Sequence, residues 1–550
     1  MKIAFSQHRD EVVKWLICLL LIVPVILLYL AHLLRHETLI PTGFLHSDFA
    51  QYMAYAREYF DSGGFHLLYG NPFDDSYTAP RVNFQIQTLL LGIIWRLTGW
   101  DPGTVFLVFA FVAALVCARV AMMLYEHIVG LHSWAHWLGL MIFFWGGGLL
   151  AIAGALSVLA GGGSLSEAVW HSDRLNPGGG WWCLNFGLNL VFPFEAYYHA
   201  VVFLCVLFIM RTQYRAAGAM AFLIAISHPY TSVELLAILC AWTVFEIVFM
   251  ENREVPKAFL LFCAALTALV TGYYLFLAHT ALYTSQLKIR WVYTAENFVP
   301  AYILVGGLAV WKIRHLRLAR EYFSSAQNRL LAIWFLVAFV ASNHEFALKE
   351  PFQPLHFTRG YVWIPLFFMG SSVLVALLRG LSERLKLAYA LVSVALITGV
   401  FVSDNAVWFG LRYYISFHHK SAGVGVFLSH PQKELLDWMN GEENRGYLIL
   451  SEGVNPFTAN NDVGYYATIY TPLRAWVSHN LTTPQKSLRD KELEALFERG
   501  EFIPAWQGRP LLIVFDRRMT EAEPAWLAEQ GAAKVYENSD YRVFRLKPSG

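Results

Sequence analysis

The stretch VVKWLICLLLIVPVILLYLAHLL, from Val12 to Leu34, decides the fold class. A helix needs about 20 residues to cross a hydrocarbon core of about 30 Å, and this apolar run is longer than that. It is also too long for the core of a signal peptide, and no small-residue cleavage site follows it. We therefore expect an uncleaved first membrane span.

The composition of the whole chain indicates a membrane protein. Of the 550 residues 57% are hydrophobic and only 15% are charged, which is typical of a chain that crosses the membrane several times. The net charge is +1, so the composition does not call for nucleic acid as a partner. The apolar composition makes membrane lipids the expected surroundings. The six cysteines lie in or beside apolar runs without metal-type spacing, which argues against a disulfide framework or a zinc site.

Apolar runs of sufficient length recur through the first four hundred residues. They predict a mainly α-helical membrane bundle of about eleven spans. Pro229 divides one overlong run, because proline removes a backbone donor and clashes with the preceding turn. The predicted spans are 12–34, 103–126, 133–160, 188–211, 215–227, 230–251, 256–281, 298–313, 329–343, 359–378 and 386–403.

The positions of lysine and arginine predict the orientation, since short cytoplasmic loops hold an excess of both. The basic segment from Lys312 to Arg329 is expected inside, which also places the N-terminus in the cytoplasm and the C-terminus outside. Under this topology residues 83–99 form a helix in the outer interface. The alternative, in which 83–99 spans the membrane and inverts the first loop, stays open.

The chain divides into two predicted domains. Residues 1–428 form the membrane module, including a long first outer loop over 35–102, and residues 429–550 form a small soluble α/β domain outside the membrane. Ionisable residues are frequent in the outer segments. Because such groups at membrane depth usually line a cavity, we expect a polar chamber with aromatic walls on that side.

The first loop contains HSDFAQYMAYAREYF, from His46 to Phe60. The apolar residues Phe49, Met53 and Ala56 fall near one face of a helix that would begin here. Ser47 or Asp48 is expected to cap this helix, and a cap alone would explain the carboxylate of Asp48. The position of Asp48 directly after the first span favours a functional role instead.

This layout resembles the GT-C glycosyltransferases. The resemblance covers about residues 1–405 and rests on the layout. This chain and those enzymes share an inside N-terminus, an early acidic residue after span one, interfacial helices in the first loop, about eleven spans and an outer C-terminal domain. The motif is the single aspartate, Asp48, since Phe49 follows it and not a second acidic residue. The superfamily includes oligosaccharyltransferases, protein O-mannosyltransferases and lipid A aminoarabinose transferases.

The resemblance implies a transferase that moves a sugar from a polyprenyl-phosphate donor to an acceptor hydroxyl with inversion. The acceptor would be a lipid, a glycan or a protein. With a composition typical of a bacterial inner-membrane protein, the implied setting is glycan synthesis in a bacterial cell envelope, with the C-terminal domain in the periplasm.

The chemistry requires a base for the acceptor proton and a cation for the departing phosphate. Asp48 is the candidate base. Arg359 is the first candidate for the phosphate and Arg290 the second, because a guanidinium offers planar, bidentate donors and keeps its charge. Snorkelling of these two side chains to the outer interface is the alternative.

Further candidates have weaker support. Asp74 and Asp75 are adjacent carboxylates suited to an optional Mg²⁺ or Mn²⁺, although NPFDDS is also a typical turn. Glu195 and His199 share one helix face, and they either line the chamber or hydrogen-bond to a neighbouring helix. The other candidates for binding substrate or phosphate are His46, Tyr52, His228 and His356.

Two other classes of protein stay open as alternatives. A transporter would also have polar groups at the midplane, but transporters tend to show two similar halves with matching helix breaks, and here one break near His228 has no counterpart. The second alternative is a non-catalytic assembly or scaffold protein that binds through its outer domain.

Overall fold

The computed structural model describes residues 2–34, 39–60, 64–76, 80–280, 289–315, 319–349, 351–418, 425–453, 455, 460–520 and 522–548. Parts of the predicted first loop and of the basic segment therefore lie outside the described residues. The chain forms two compact units. The helical unit comprises Met1–Leu28, Phe109–Tyr274 and Ile289–His418, and the loop–sheet unit comprises Tyr29–Val108, Leu275–Lys288 and His419–Gly550.

Helices dominate the described chain, as the fold class predicts. In chain order they are α1 (Lys2–Leu21), α2 (Val23–Leu33), α3 (Ser47–Glu58), α4 (Ile86–Thr98), α5 (Pro102–Ile128), α6 (Trp134–Trp145), α7 (Leu150–Ala160), α8 (Leu165–Trp170), α9 (Pro193–Met210), α10 (Tyr214–Ala225), α11 (Pro229–Val244), α12 (Lys257–Ala278), α13 (Ala295–His315), α14 (Ala319–Tyr322), α15 (Ala326–Ser342), α16 (Trp363–Arg384), α17 (Leu387–His418), α18 (His430–Met439), α19 (Asp462–Tyr470), α20 (Lys486–Arg499) and α21 (Trp526–Glu529).

A helix occupies each of the predicted spans. Among the described residues six helices are long and apolar enough to cross a membrane, and two bent pairs, α1 with α2 and α6 with α7, raise that number to eight. The other three predicted spans coincide with α10, α13 and α15, of which α10 and α15 are shorter apolar helices. The mainly helical, membrane-spanning fold class is thereby confirmed.

The bend between α6 and α7 is held by a carboxylate from α17. Asp404 accepts hydrogen bonds from the backbone N–H groups of Gly148 at 2.8 Å and Ala151 at 2.9 Å. The first N–H groups of a helix have no partner within the helix, and Asp404 supplies one for α7. A buried aspartate inside an apolar helix therefore has a structural role at the 63° break.

The seven strands found among the described residues lie in the loop–sheet unit: β1 (Leu39–Pro41), β2 (Phe427–Ser429), β3 (Leu448–Ser451), β4 (Arg474–Ala475), β5 (Leu511–Asp516), β6 (Ala533–Glu537) and β7 (Tyr541–Leu546). Five of them form one mixed sheet in the order β4-β3-β5-β7-β6, with β4, β3 and β5 parallel. Its core packs Trp476 and Trp506 against Ile513 and Phe544. The predicted small C-terminal α/β fold is present.

The first loop forms the helix pair α3 and α4. Gly92 permits their close packing, because a Cβ at this position would lie 2.6 Å from the carbonyl oxygen of Ala56. The 13 residues of α4 reach about 20 Å, which is less than a hydrocarbon core requires. This length favours the interfacial position over a crossing.

The predicted cap of α3 is wrong. His46, and neither Ser47 nor Asp48, is the N-cap residue, and its Nδ1 accepts the Asp48 backbone N–H at 3.2 Å. Imidazole nitrogen replaces the usual hydroxyl or carboxylate oxygen in this role. The Asp48 side chain is therefore not needed to cap the helix.

The first loop packs with the C-terminal residues within the loop–sheet unit. Strand β1 pairs with β2, and the amide of Asn71 donates to the carbonyl of Thr482 at 2.8 Å. Glu58 forms a fully buried ion pair with Arg474. The domain boundary at 428/429 stays a prediction, and these contacts group residues 39–108 with the residues after it.

The Glu58–Arg474 pair predicts a large loss of stability on truncation. Glu58→Ala leaves a buried guanidinium without its counter-charge, which costs about 3–5 kcal/mol. The control is Glu442→Ala, which removes an exposed pair with Arg445 and should cost less than about 1 kcal/mol. Thermal unfolding in detergent measures both, and equal losses would contradict the assigned role of the buried pair.

Candidate functional site

A buried ion pair lies at the centre of the first candidate site, in the helical unit. Arg359 Nη1 lies 2.7 Å from Glu195 Oε1, and both side chains are almost fully buried. Glu195 comes from the first turn of α9, which begins with Pro193. A charge in an apolar interior requires a partner, and here each group supplies the other's.

His199 binds the backbone at the same place. Its Nε2 lies 2.8 Å from the carbonyl oxygen of Arg359, and its Nδ1 lies 2.7 Å from the carbonyl oxygen of Glu195, one helical turn earlier. A neutral imidazole donates to one of these two carbonyls only. The spacing of Glu195 and His199 thus brings both residues to Arg359. Glu195 contacts the Arg359 side chain, and His199 contacts the Arg359 backbone.

The backbone at Arg359 is strained. Its φ is +23° and that of Gly360 is +78°, and a left-handed conformation is unfavourable for a residue with a Cβ. The N–H of Gly360 donates to the carbonyl of Cys183 at 2.7 Å, which helps to hold the turn. Such strain persists where the surroundings fix it, and it concentrates at functional sites.

His228 precedes α11 and faces the same guanidinium. Arg359 Nη1 lies 3.2 Å from Nε2 and 3.3 Å from Nδ1 of His228, whose ring stacks on Tyr198 at 4.5 Å. Burial, followed by the charge of Arg359, lowers the pKa of His228 well below its usual range. A neutral imidazole accepts a hydrogen bond from Arg359, so this contact adds no repulsion.

Aromatic rings enclose the cluster. Trp182 lies 5.9 Å from the Arg359 guanidinium, and Tyr230 stacks on His356 at 4.6 Å. Trp291 packs edge-on against His356 at 4.8 Å, whereas its neighbour Arg290 is exposed. The structure therefore brings together Glu195, His199, His228, His356 and Arg359, with Trp291 beside His356.

Glu234 belongs to the same cluster and is not among the site residues predicted from the sequence. Glu234 is buried in α11, Arg359 acts on its charge, and among the described residues neither carboxylate oxygen has a hydrogen-bond partner. A glutamate inside an apolar helix was the available signal. The cluster thus contains two buried carboxylates and one arginine among aromatic side chains.

The second candidate site lies in the loop–sheet unit around Asp48. Its side chain is 59% exposed, and one carboxylate oxygen lies 3.5 Å from Nδ1 of His46. That nitrogen already accepts the Asp48 N–H, so an ion pair would form only on protonation of the ring. Tyr52 is half-buried one helical turn later and packs against Tyr55 at 6.1 Å. The carboxylate of Asp48 is held at the first turn of α3 and is open to a ligand.

Two arginines bind the carboxylate of Asp75. Arg489 Nη2 lies 2.7 Å from Oδ1, and Arg509 Nη1 lies 2.5 Å from Oδ2. Burial acts to raise the pKa of Asp75, but these two arginines outweigh it and the pKa is lowered, whereas burial raises the pKa of Asp74. A carboxylate whose pKa is lowered in the folded state stabilises the fold at any pH above the ordinary pKa of aspartate. The stabilisation by ionised Asp75 is therefore lost as the pH falls below about 4.

This arrangement does not favour a cation at the aspartate pair. The described residues contain no group of three or more His, Cys, Asp or Glu side chains suited to a metal ion. The optional Mg²⁺ or Mn²⁺ stays a prediction, while the observed contacts give Asp75 a structural role between the first loop and α20.

The comparisons with known proteins concern the fold. No protein-family model and no curated protein matches the sequence. Among solved structures, the chain is similar to ArnT and to an archaeal oligosaccharyltransferase, in each case at low sequence identity.

Three of these structures come from two proteins. ArnT from Cupriavidus metallidurans in the apo state is 12% identical, with 98% of each chain covered and a TM-score of 0.43. ArnT bound to undecaprenyl phosphate is 13% identical, with 96% of this chain and 97% of that chain covered and a TM-score of 0.41. The Archaeoglobus fulgidus oligosaccharyltransferase tethered to an acceptor peptide is 10% identical, with 91% and 69% covered and a TM-score of 0.47.

The ion pairs of Asp75 predict that the two adjacent aspartates respond differently to substitution. Asp75→Asn removes the charge between Arg489 and Arg509 and should cost about 2–3 kcal/mol. Asp74→Asn is the matched control: its oxygen accepts the Ser76 N–H at 3.1 Å, and an amide oxygen still accepts it. Thermal unfolding with Mn²⁺ or with a chelator checks both variants. Equal losses, together with stabilisation of the wild type by Mn²⁺, would support a metal instead.

Proposed function

We propose that the chain is an integral membrane glycosyltransferase that moves a sugar from a polyprenyl-phosphate donor to an acceptor hydroxyl with inversion. The accessible carboxylate of Asp48, held at the first turn of the helix that follows the first span, is the observation that carries this proposal. The resemblance of the sequence layout to GT-C enzymes supplies the donor class. The acceptor is a lipid, a glycan or a protein.

Asp48 is the proposed general base. As the acceptor oxygen forms its bond to the anomeric carbon, the hydroxyl proton moves to an Asp48 carboxylate oxygen, and the bond from that carbon to the phosphate oxygen breaks. The products are the glycosylated acceptor and the polyprenyl phosphate. One displacement inverts the anomeric configuration.

Arg359 is the proposed partner of the donor phosphate. A guanidinium is planar and carries five N–H donors, and this geometry matches phosphate oxygens. Glu195 and His199 hold the side chain and backbone of Arg359 in position before substrate binds, which reduces the cost of ordering it. The surface proposed to contact the polyprenyl chain or the sugar is aromatic, and its residues are Trp182, Trp291, Tyr230 and His356.

The proposed location is the bacterial inner membrane, with the N-terminus in the cytoplasm and the five-stranded sheet in the periplasm. The excess of lysine and arginine between Lys312 and Arg329 supports this orientation. Membrane-impermeant labelling of a single cysteine at position 48 tests it, since labelling from the cytoplasmic side would reverse the topology.

The role of Asp48 predicts that Asp48→Asn abolishes most turnover. General-base catalysis contributes about 10²–10⁴-fold, and an amide of the same size cannot take the proton. The assay incubates purified protein with a panel of polyprenyl-phosphate sugars and measures released polyprenyl phosphate. Asp437→Asn, the same exchange at an exposed carboxylate, is the control. Wild-type turnover in D48N would exclude this base, and an inactive wild type across the panel would favour the scaffold alternative.

The role of Arg359 predicts a specific change in donor binding. Arg359→Lys keeps the charge but loses the planar fork, and we expect the KM for donor to rise about tenfold. Arg290→Lys, measured in parallel, separates the two arginine candidates. A larger rise in R290K than in R359K would move the phosphate role to Arg290.

A further inference from the structure

His479 is a buried histidine of the C-terminal sequence that the proposed function does not use. It follows β4 in the stretch RAWVSHNLT, from Arg474 to Thr482, and only 2% of its surface is exposed. Its ring packs against Phe73 from the first loop at 5.3 Å and against Tyr465 from α19 at 5.4 Å. Both neighbours belong to the same loop–sheet unit.

The hydrogen bonds of His479 determine where its proton lies. The backbone N–H of Leu481 donates to Nδ1 at 3.2 Å, so Nδ1 carries no proton. Burial lowers the pKa of His479 to about 4, against the opposing effect of the Asp48 charge, and the ring is neutral at pH 7. The single proton is therefore on Nε2.

The Nε2–H of His479 is a buried donor without a hydrogen-bond partner among the described residues. An unsatisfied buried donor destabilises the fold, and buried polar groups in native proteins are nearly always paired. The Leu481 N–H already holds the ring through Nδ1. The unpaired Nε2–H therefore lowers stability without serving to hold the ring.

The surroundings place this donor at the start of α3. The Tyr465 hydroxyl donates to the carbonyl of Ser47 at 2.5 Å, one residue before Asp48, and Tyr465 packs on His479. The charge of Asp48 acts on both His479 and Tyr465. Tyr465 thus contacts the first turn of α3, where the proposed base is held, and His479 packs on Tyr465.

We propose that His479 is a positioning residue for Asp48, and that its Nε2–H donates to one Asp48 carboxylate oxygen when the acceptor is bound. The contact is direct or passes through one ordered water. It leaves the other carboxylate oxygen to take the acceptor proton, and His479 itself neither gains nor loses a proton. This inference rests on the proposed function of Asp48. It gives a residue of the C-terminal sequence, His479, a part in catalysis.

Two substitutions separate the nitrogens of the ring. In His479→Asn the amide oxygen takes the place of Nδ1 and still accepts the Leu481 N–H, but the Nε2–H is lost. In His479→Gln the amide nitrogen reaches the position of Nε2 and still donates, but the acceptor for Leu481 is lost. The pair therefore isolates the donor to the base from the local structural contact.

We expect H479N to lower kcat about 10–100-fold with the KM for donor and acceptor unchanged, and H479Q to retain kcat within about threefold. Melting temperatures are measured on the same samples, and H479Q should be the less stable of the two. Wild-type kcat in H479N would overturn the proposal. Equal losses of kcat in both variants, in step with their melting temperatures, would also overturn it by assigning His479 a structural role.

The Asp48→Asn background separates this inference from the proposed function. If His479 acts through Asp48, H479N causes no further loss of kcat in D48N, because the group that it orients no longer serves as a base. Losses that multiply in the double variant would contradict the inference alone. Wild-type turnover in D48N would instead contradict the proposed function, whatever the effect of H479N.

Discussion

The ion pair between Glu195 and Arg359 is the contact on which the candidate site in the helical unit depends. An arginine side chain inside an apolar helix bundle is stable only with a counter-charge, and the first turn of α9 supplies it at 2.7 Å. The pair brings the Arg359 carbonyl to His199 and the guanidinium to His228. The strained backbone at Arg359 persists because these contacts act together.

A similar constraint organises the loop–sheet unit. Two carboxylates of the first loop are bound by arginines more than four hundred residues later in the chain. Glu58 pairs with Arg474 in β4, and Asp75 pairs with Arg489 in α20 and with Arg509. Such pairs require both partners to be present, so the first loop and the C-terminal sequence fold as one compact unit. The start of α3 is consequently supported by a C-terminal side chain, Tyr465, on which His479 packs.

The sequence predicted features that are local along the chain and missed those that depend on distant partners. The apolar runs predicted the helices, and the spacing of Glu195 and His199 predicted their shared face, because one helical turn determines both. The cap of α3 was assigned wrongly, since histidine at an N-cap is unusual. No periodicity relates Asp75 to Arg489 or places Glu234 beside Arg359, and the roles of these residues emerged only from the fold.

The exposure of Asp48 bears on its chemistry. A solvated carboxylate binds a proton weakly, whereas a base must hold the acceptor proton in the transition state. In the proposed reaction, bound acceptor would displace water from the Asp48 side chain, which is 59% exposed. In that reaction, the acceptor that donates the proton would then also complete the surroundings of Asp48. A hydrogen bond from His479 would select one carboxylate oxygen and leave the other to receive that proton.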